Sequence, residues 1–220
     1  MKRPQISVIK VGGSLFDWDL LPVELDRWLS RQNHHCQLLV AGGGALVDTI
    51  REYDRRFELS AEEVHHLCIE AMSVTSQMLS CLLPGMRRVS RIDDLQKVCN
   101  TSKPKVRLMV EFPSWLNNSQ HELSQRLPAS WDVTSDSIAA GIAGQLGSCE
   151  LTLLKSCTPS AAQSLSALAE RGYVDRHFPN LAVSLPAVRL VNLRDQNWVE
   201  TRIVHGERDF NREPTGNGFN

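Results

Sequence analysis

Two short runs of the chain end in glycines, Lys10-Val11-Gly12-Gly13-Ser14 and Val40-Ala41-Gly42-Gly43-Gly44. Glycine at the end of a strand lets backbone N–H groups close around an oxyanion, and a helix that follows adds its positive N-terminal dipole. Lys10 stands two residues before the first glycine pair: if that strand end faces a phosphate, its ammonium can neutralise charge on the transferred group, and otherwise it is a strand-end lysine pointing to solvent. A third element is Thr134-Ser135-Asp136-Ser137-Ile138-Ala139-Ala140, in which Asp136 lies at the start of a helix of small residues. Its carboxylate either orients Lys10 or holds a metal-bound phosphate, or Ser135 or Asp136 simply caps the helix. Lys155 closes the apolar run 151–155 and is placed to reach the same sheet edge as Lys10. The chemistry these types suit is phosphate binding by a few ammoniums and backbone amides. Neither glycine run is a GxxxxGK[ST] loop or a GxGxxG fingerprint, so neither a P-loop nor a Rossmann dinucleotide site is supported.

Other residues carry two readings each. Asp48 and Arg51 lie three apart on the helix after the second glycine run and either pair at the surface or meet an acceptor amine or phosphate. His65 and His66 are adjacent on a helix and point to different sides, so no metal set is read from them. Trp115 and Trp131 either pack in the core or line a pocket for a flat ring.

Strands are expected at 5–11, Cys36–Ala41, 86–90, Val106–Val110, 149–155, 188–193 and 198–204, the last two joined as a hairpin around 194–197. Helices are expected at 22–32, Ala45–Phe57, from Ser60 to Pro84-Gly85, at 93–98, in part of 111–127, and at 136–146 and 161–171. Ser60 and Glu63 have the spacing of a capping box. The apolar positions read as packing are Val23, Leu25, Trp28 and Leu29, then Leu46, Val47, Ile50 and Tyr53. On the long helix they are Val64, Leu67, Cys68, Ala71, Met72, Thr75, Met78 and Leu79, which face a core or a subunit interface. Strands alternating with helices give an α/β fold, a three-layer αβα sandwich around a mostly parallel sheet. Residues 1–204 are read as a single domain and 205–220 as a disordered tail.

The whole chain bounds its partners. It has 220 residues, 42% hydrophobic and 22% charged, which excludes a disordered chain, a collagen and a coiled coil. Its 24 Lys+Arg against 25 Asp+Glu give a net charge of −1 and no basic excess, which argues against a nucleic-acid or anionic-membrane partner. No stretch approaches the roughly 18 apolar residues of a membrane span. The six cysteines, Cys36, Cys68, Cys81, Cys99, Cys149 and Cys157, form no CxxC pair and are read as free thiols in a reducing, cytoplasmic setting.

Taken in order, KVGGS, AGGG, TSDSIAAGIA and LTLLK resemble the amino acid kinase family, which includes acetylglutamate, aspartate, carbamate, uridylate and isopentenyl phosphate kinases. The resemblance spans about residues 6–156. The segment GGGALVDTIREYDRRFELSAEEVHHLCIEAM, with GYVDRHFP further on, resembles one branch, the kinase-like proteins of methanofuran and related one-carbon cofactor synthesis. What this implies is phosphorylation by ATP, with Mg²⁺ held mainly through the nucleotide phosphates and no protein metal site. The implied acceptor is a small phosphorylated or amine-bearing molecule, in that branch an aminomethyl-furan-methyl phosphate. The resemblance makes Lys10, Asp136 and Lys155 the catalytic set. Gly12, Gly13, Ser14 and Lys155 would face the nucleotide, and Gly42, Gly43, Gly44 and Arg51 the acceptor. A homo-oligomer, dimer or larger, is implied as well. The chain reads Lys155-Ser156-Cys157-Thr158-Pro159 where larger members have Thr-Asp-x-x-Gly, and it has no Gly-Gly-Met segment with a second lysine. A non-catalytic nucleotide or oxyanion binder on this fold, and a kinase for isopentenyl phosphate or a nucleoside monophosphate, remain alternative readings.

Overall fold

A computed structural model describes residues 6–101, 105–118, 127–147, 150–159 and 164–204. Seven strands form one sheet: β1 (Ile6–Val11), β2 (Cys36–Ala41), β3 (Arg87–Val89), β4 (Val106–Val110), β5 (Glu150–Lys155), β6 (Ala187–Asn192) and β7 (Glu200–Val204). Their order is β3-β4-β2-β1-β5-β6-β7, with every pair parallel except the terminal β6–β7 hairpin. The helices are α1 (Leu21–Arg31), α2 (Ala45–Phe57), α3 (Ala61–Leu82), α4 (Ile92–Thr101), α5 (Ser114–Asn118), α6 (Ser135–Gln145), α7 (Leu165–Glu170) and α8 (Phe178–Ala182).

The central strands β1, β2, β4, β5 and β6 are largely apolar on both faces because helices cover both. Their period of two sorts the residues into two cores. Val8, Leu38, Val40, Leu151, Leu153 and Leu190 pack with Ile138 and Ile142 of α6 and Phe178 of α8. Ile9, Val11, Leu39, Ala41, Leu154 and Val191 pack with Leu25, Trp28 and Leu29 of α1 and Leu79 of α3. The three-layer α/β sandwich expected from the alternation of elements is the architecture found. Chain direction across the sheet reverses between β1 and β5: β1 leads to β2 on one side, and β5 to β6 on the other. Ligand crevices of open α/β sheets lie at such a point, beyond the carboxyl ends of the strands.

Local chemistry sets the helix ends. Ser60 and Glu63 make the capping box, with the Ser60 hydroxyl accepting from the Glu63 amide at 3.2 Å. α3 stops before Pro84, which cannot continue a helix. Every residue from Ser135 to Ala143 is buried, which only a helix of small side chains permits so close to the sheet.

Several expectations are corrected. Val23 is 57% exposed, because α1 buries Leu21 in its place. α2 buries none of its residues: it lies along α3 rather than on the sheet, so Leu46 and Tyr53 face outward. Leu67 and Met78 of α3 are exposed as well. Cys36 and Cys99, read as free thiols, are joined as a disulfide, since α4 lies over the face of β2 that carries Cys36. Cys68, Cys81 and Cys157 are free, and Cys149 lies outside the described residues. The tail 205–220, residues 119–126 of the stretch expected to be partly helical and the start of 161–171 also lie outside them, while α5 is the helical part found in that stretch. A short 3₁₀ turn at Gly13–Asp17 and helix α8 have no clear sequence signal. Among the described residues, no helix is long and apolar enough to cross a membrane.

Candidate active site

Lys10 has the same strand parity as Val8, and Lys155 the same as Leu151 and Leu153, so both lysines rise on the face covered by α6. β1 and β5 are neighbours, with Lys10 paired to Leu153, which brings the two ammoniums to the same edge. Asp136, in the first turn of α6, meets both. Lys10 Nζ is 2.7 Å from its Oδ1, and Lys155 Nζ donates to its Oδ2 at 2.6 Å. Lys10 is 5% exposed and Asp136 3%, so these charges are out of water. The helix cap is Thr134, whose hydroxyl accepts from the Asp136 amide at 3.3 Å. Capping by Ser135 or Asp136 is therefore not realised, and the Asp136 carboxylate is turned to the lysines.

Two lysines share this one carboxylate, in a setting where an unpaired charge costs stability. Burial pushes the Asp136 carboxyl up, but Lys10 and Lys155 more than offset this and hold it at about 2. Burial lowers Lys10, Asp136 raises it and Lys155 lowers it again, and the net direction is down from the ordinary lysine value. The Asp136 carboxylate is thus ionised and holds the two lysine side chains in a fixed orientation.

The glycine loops meet backbone to backbone. A Cβ on Gly13 would lie 2.5 Å from the Gly44 nitrogen, and one on Gly42 would lie 2.7 Å from the Gly13 nitrogen. Gly44 has φ +57°, a conformation that L side chains rarely adopt. Gly12 and Gly42, expected to face ligand, instead extend the sheet: their amides donate to the carbonyls of Leu154 and Val11 at 2.8 and 2.9 Å. The amides of Gly13, Ser14, Gly43 and Gly44 have no acceptor among the described residues, the first two opening the 3₁₀ turn and the last two preceding α2.

Two cavities flank this edge. One, of about 320 Å³, is bounded by Gly13, Ser14, Gly43, Gly44 and Arg51, with an apolar wall that includes Val64, Ile69, Met72 and Ile138. The other, of about 420 Å³, holds Lys10, Asp136, Lys155, Tyr173 and Asp175. Thr134 and Trp131 border both. Gly13 and Ser14, expected on the nucleotide side, therefore share a cavity with Gly43, Gly44 and Arg51, and lie apart from the cavity of Lys155. The Ser14 hydroxyl pairs with that of Ser156 at 2.9 Å across the two loops.

Arg51 pairs with Asp48 at 2.8 Å, and its guanidinium lies 4.5 Å from the Trp131 ring centre. Trp131 Nε1 donates to Asp54 at 2.7 Å. Trp131 is thus a cavity wall, while Trp115 is fully buried in the core. His65 faces the apolar cavity, whereas His66 lies near Glu70 at the surface. Among the described residues no three His, Cys, Asp or Glu side chains converge as a metal site. Asp175, Ser156 and Tyr173 went unassigned in the sequence; the only signal for Asp175 and Tyr173 is their place in the segment GYVDRHFP.

No family model and no curated protein sequence matches the chain. Solved structures do. The UMP kinase from Bacillus anthracis is 12% identical with a TM-score of 0.60, covering 93% of this chain and 98% of that one. The UMP kinase from Ureaplasma parvum is 12% identical with a TM-score of 0.58, covering 92% and 100%. The uridylate kinase from Archaeoglobus fulgidus is 14% identical with a TM-score of 0.53, covering 80% and 85%. These likenesses carry the fold, which is the one the amino acid kinase resemblance implied.

Proposed function

We propose that this chain, folded as the uridylate kinases are, is an ATP-dependent small-molecule kinase. The observation that supports the reading best is the Lys10–Asp136–Lys155 set, in which one buried carboxylate holds two lysines, flanked by two cavities that meet at Thr134 and Trp131. MgATP enters the polar cavity, with its phosphates toward Lys10 and Lys155. The acceptor occupies the apolar cavity, its nucleophile toward the glycine loops and Arg51 at its rim.

In the reaction an acceptor oxygen or amine nitrogen forms the new bond to the γ-phosphorus, and the bond to the β–γ bridging oxygen breaks, leaving its electron pair on ADP. A phosphate acceptor has no proton to lose at neutral pH; a hydroxyl or amine gives its proton to solvent. Lys10 and Lys155 neutralise the charge spread over the transferred group, and the free amides of Gly13, Ser14, Gly43 and Gly44 orient the acceptor. Asp136 holds both ammoniums in place. Lys155 supplies the second cation that larger amino acid kinases take from a later segment.

The acceptor is a small phosphorylated or amine-bearing molecule, with an aminomethyl-furan-methyl phosphate as the specific candidate from the branch resemblance. We place the enzyme in the cytoplasm, where ATP is supplied, and as a homo-oligomer. The exposed apolar side chains Tyr53 and Phe57 of α2 and Val74 and Met78 of α3 suit a contact between copies. The deciding experiment is ADP release from MgATP with a panel holding that furan, UMP and isopentenyl phosphate, beside calorimetric binding of MgATP. Turnover with one member supports the reading and names the acceptor. Binding without turnover on any member leaves the non-catalytic alternative, and no binding overturns both.

A further inference from the structure

Asp175 lies in the loop between α7 and α8 and accepts five hydrogen bonds. Its Oδ2 receives the Thr134 amide at 2.9 Å, the Thr134 hydroxyl at 2.7 Å and the Ser137 amide at 3.0 Å. Its Oδ1 receives the Ser137 hydroxyl at 2.5 Å and the Phe178 amide at 2.8 Å. A carboxylate has about four lone-pair sites, so this one has no capacity left for a metal or a substrate proton. It caps two helices from outside, the first turn of α6 through Ser137 and that of α8 through Phe178, where a negative charge also suits both helix dipoles.

The loop is fixed to the catalytic edge in turn. The Tyr173 hydroxyl donates to the Cys157 carbonyl just beyond β5, and Lys155 Nζ lies 5.4 Å from the Tyr173 ring centre. The His177 amide donates to the Asp132 carbonyl. Asp136 stands between Thr134 and Ser137, both of which Asp175 holds, so the position of its carboxylate follows from these bonds. We propose that Asp175 is a positioning residue, which fixes the first turn of α6 so that Asp136 meets Lys10 and Lys155 together. The proposal rests on the kinase reading only for its effect on turnover.

The test is a double-mutant cycle of Asp175→Asn and Asp136→Asn in the full chain. It is read three ways: turnover of MgATP, ¹⁵N-detected signals of the Lys10 and Lys155 ammoniums, and the melting temperature. Asp175→Asn is expected to lower kcat about 10²-fold, as a small misplacement of a catalytic group does, with KM for ATP little changed. It is also expected to broaden the two ammonium signals as Asp136→Asn does, and to add little in the Asp136→Asn background. Ser137→Ala, which deletes one of the five bonds, should show the same pattern more weakly if Asp175→Asn does not fold. Unchanged kcat and ammonium signals beside a lowered melting temperature would overturn the proposal, as would losses that multiply in the double variant. If the wild-type chain turns over no MgATP, the kinase reading fails on its own, and the ammonium signals decide for Asp175.

Discussion

Lys155, the last residue of β5, donates to Asp136 at 2.6 Å, while the other oxygen of the same carboxylate faces Lys10 of β1 at 2.7 Å. One carboxylate thus sets the spacing of two ammoniums from neighbouring strands. If both carry the phosphoryl group, Lys10→Ala and Lys155→Ala should each lower kcat by about 10²–10³-fold, the usual loss for one electrostatic group at a transition state. Steady-state kinetics with the identified acceptor measures this. Unchanged turnover in Lys155→Ala would remove it from the catalytic set and return the second cation to an unassigned residue.

The pH profile should show Lys10 losing its proton early. Burial and the neighbouring Lys155 hold its pKa below the ordinary 10.5 despite Asp136 and Asp175. The alkaline limb of kcat/KM for MgATP, which reports the free enzyme, should therefore fall at a lower pH than that of a solvated lysine. Asp136 stays ionised down to about pH 2, so it contributes no acid limb in the working range. An alkaline limb at or above 10.5 contradicts the assignment.

Trp131 separates the two cavities, held by Asp54 and covered by Arg51. Trp131→Ala joins them and opens the transfer path to water. ADP release without acceptor, as ATP is hydrolysed to ADP and phosphate, should rise about tenfold, together with KM for the acceptor. Acceptor-free hydrolysis at the wild-type rate and an unchanged KM would show that the ring is only packing.

Two glycines of positive φ make a controlled comparison. A Cβ at Gly44 would lie 2.9 Å from the Gly13 carbonyl oxygen, whereas one at Gly85 meets nothing within 4 Å. Gly85→Ala should cost about 1 kcal/mol for its backbone conformation alone. Gly44→Ala should cost about 1–3 kcal/mol more, because two loop backbones must part. Urea unfolding measures both, and equal losses would mean that the loops do not touch in solution.

Acid stability should depend on Glu150 at the far end of the sheet. A bond from His34 at 2.9 Å, then Arg189 at 3.0 Å, hold its carboxyl below 4.5 against the effect of burial. A carboxylate whose folded pKa is depressed stabilises the fold fully above its unfolded value, and that contribution is lost as pH falls through the folded one. Glu150→Gln should therefore lower the unfolding free energy at neutral pH and flatten its decline below about pH 4.5. A variant with the wild-type decline would place the acid sensitivity elsewhere, Asp136 being the next carboxylate to test.

Much of this was legible in the chain itself. Strand parity assigns Lys10 to the face of Val8, and the glycine runs mark where strands end. The spacing of Ser60 and Glu63 announces the start of α3, and the small residues after Asp136 announce a helix pressed against the sheet. These are local properties, set by periodicity and by what glycine and small side chains permit. The tertiary structure alone decided the rest. It brought Lys155 to Asp136 rather than to solvent, turned Gly12 and Gly42 into sheet donors, and left α2 against α3 with Leu46 and Tyr53 outward. It also paired Cys36 with Cys99 and drew Asp175 to the foot of α6. Each of these depends on which strands are neighbours and which helix covers which face. Such contacts join residues far apart in the chain, and their free energy comes from burial and charge pairing that no single segment possesses before the sheet is assembled.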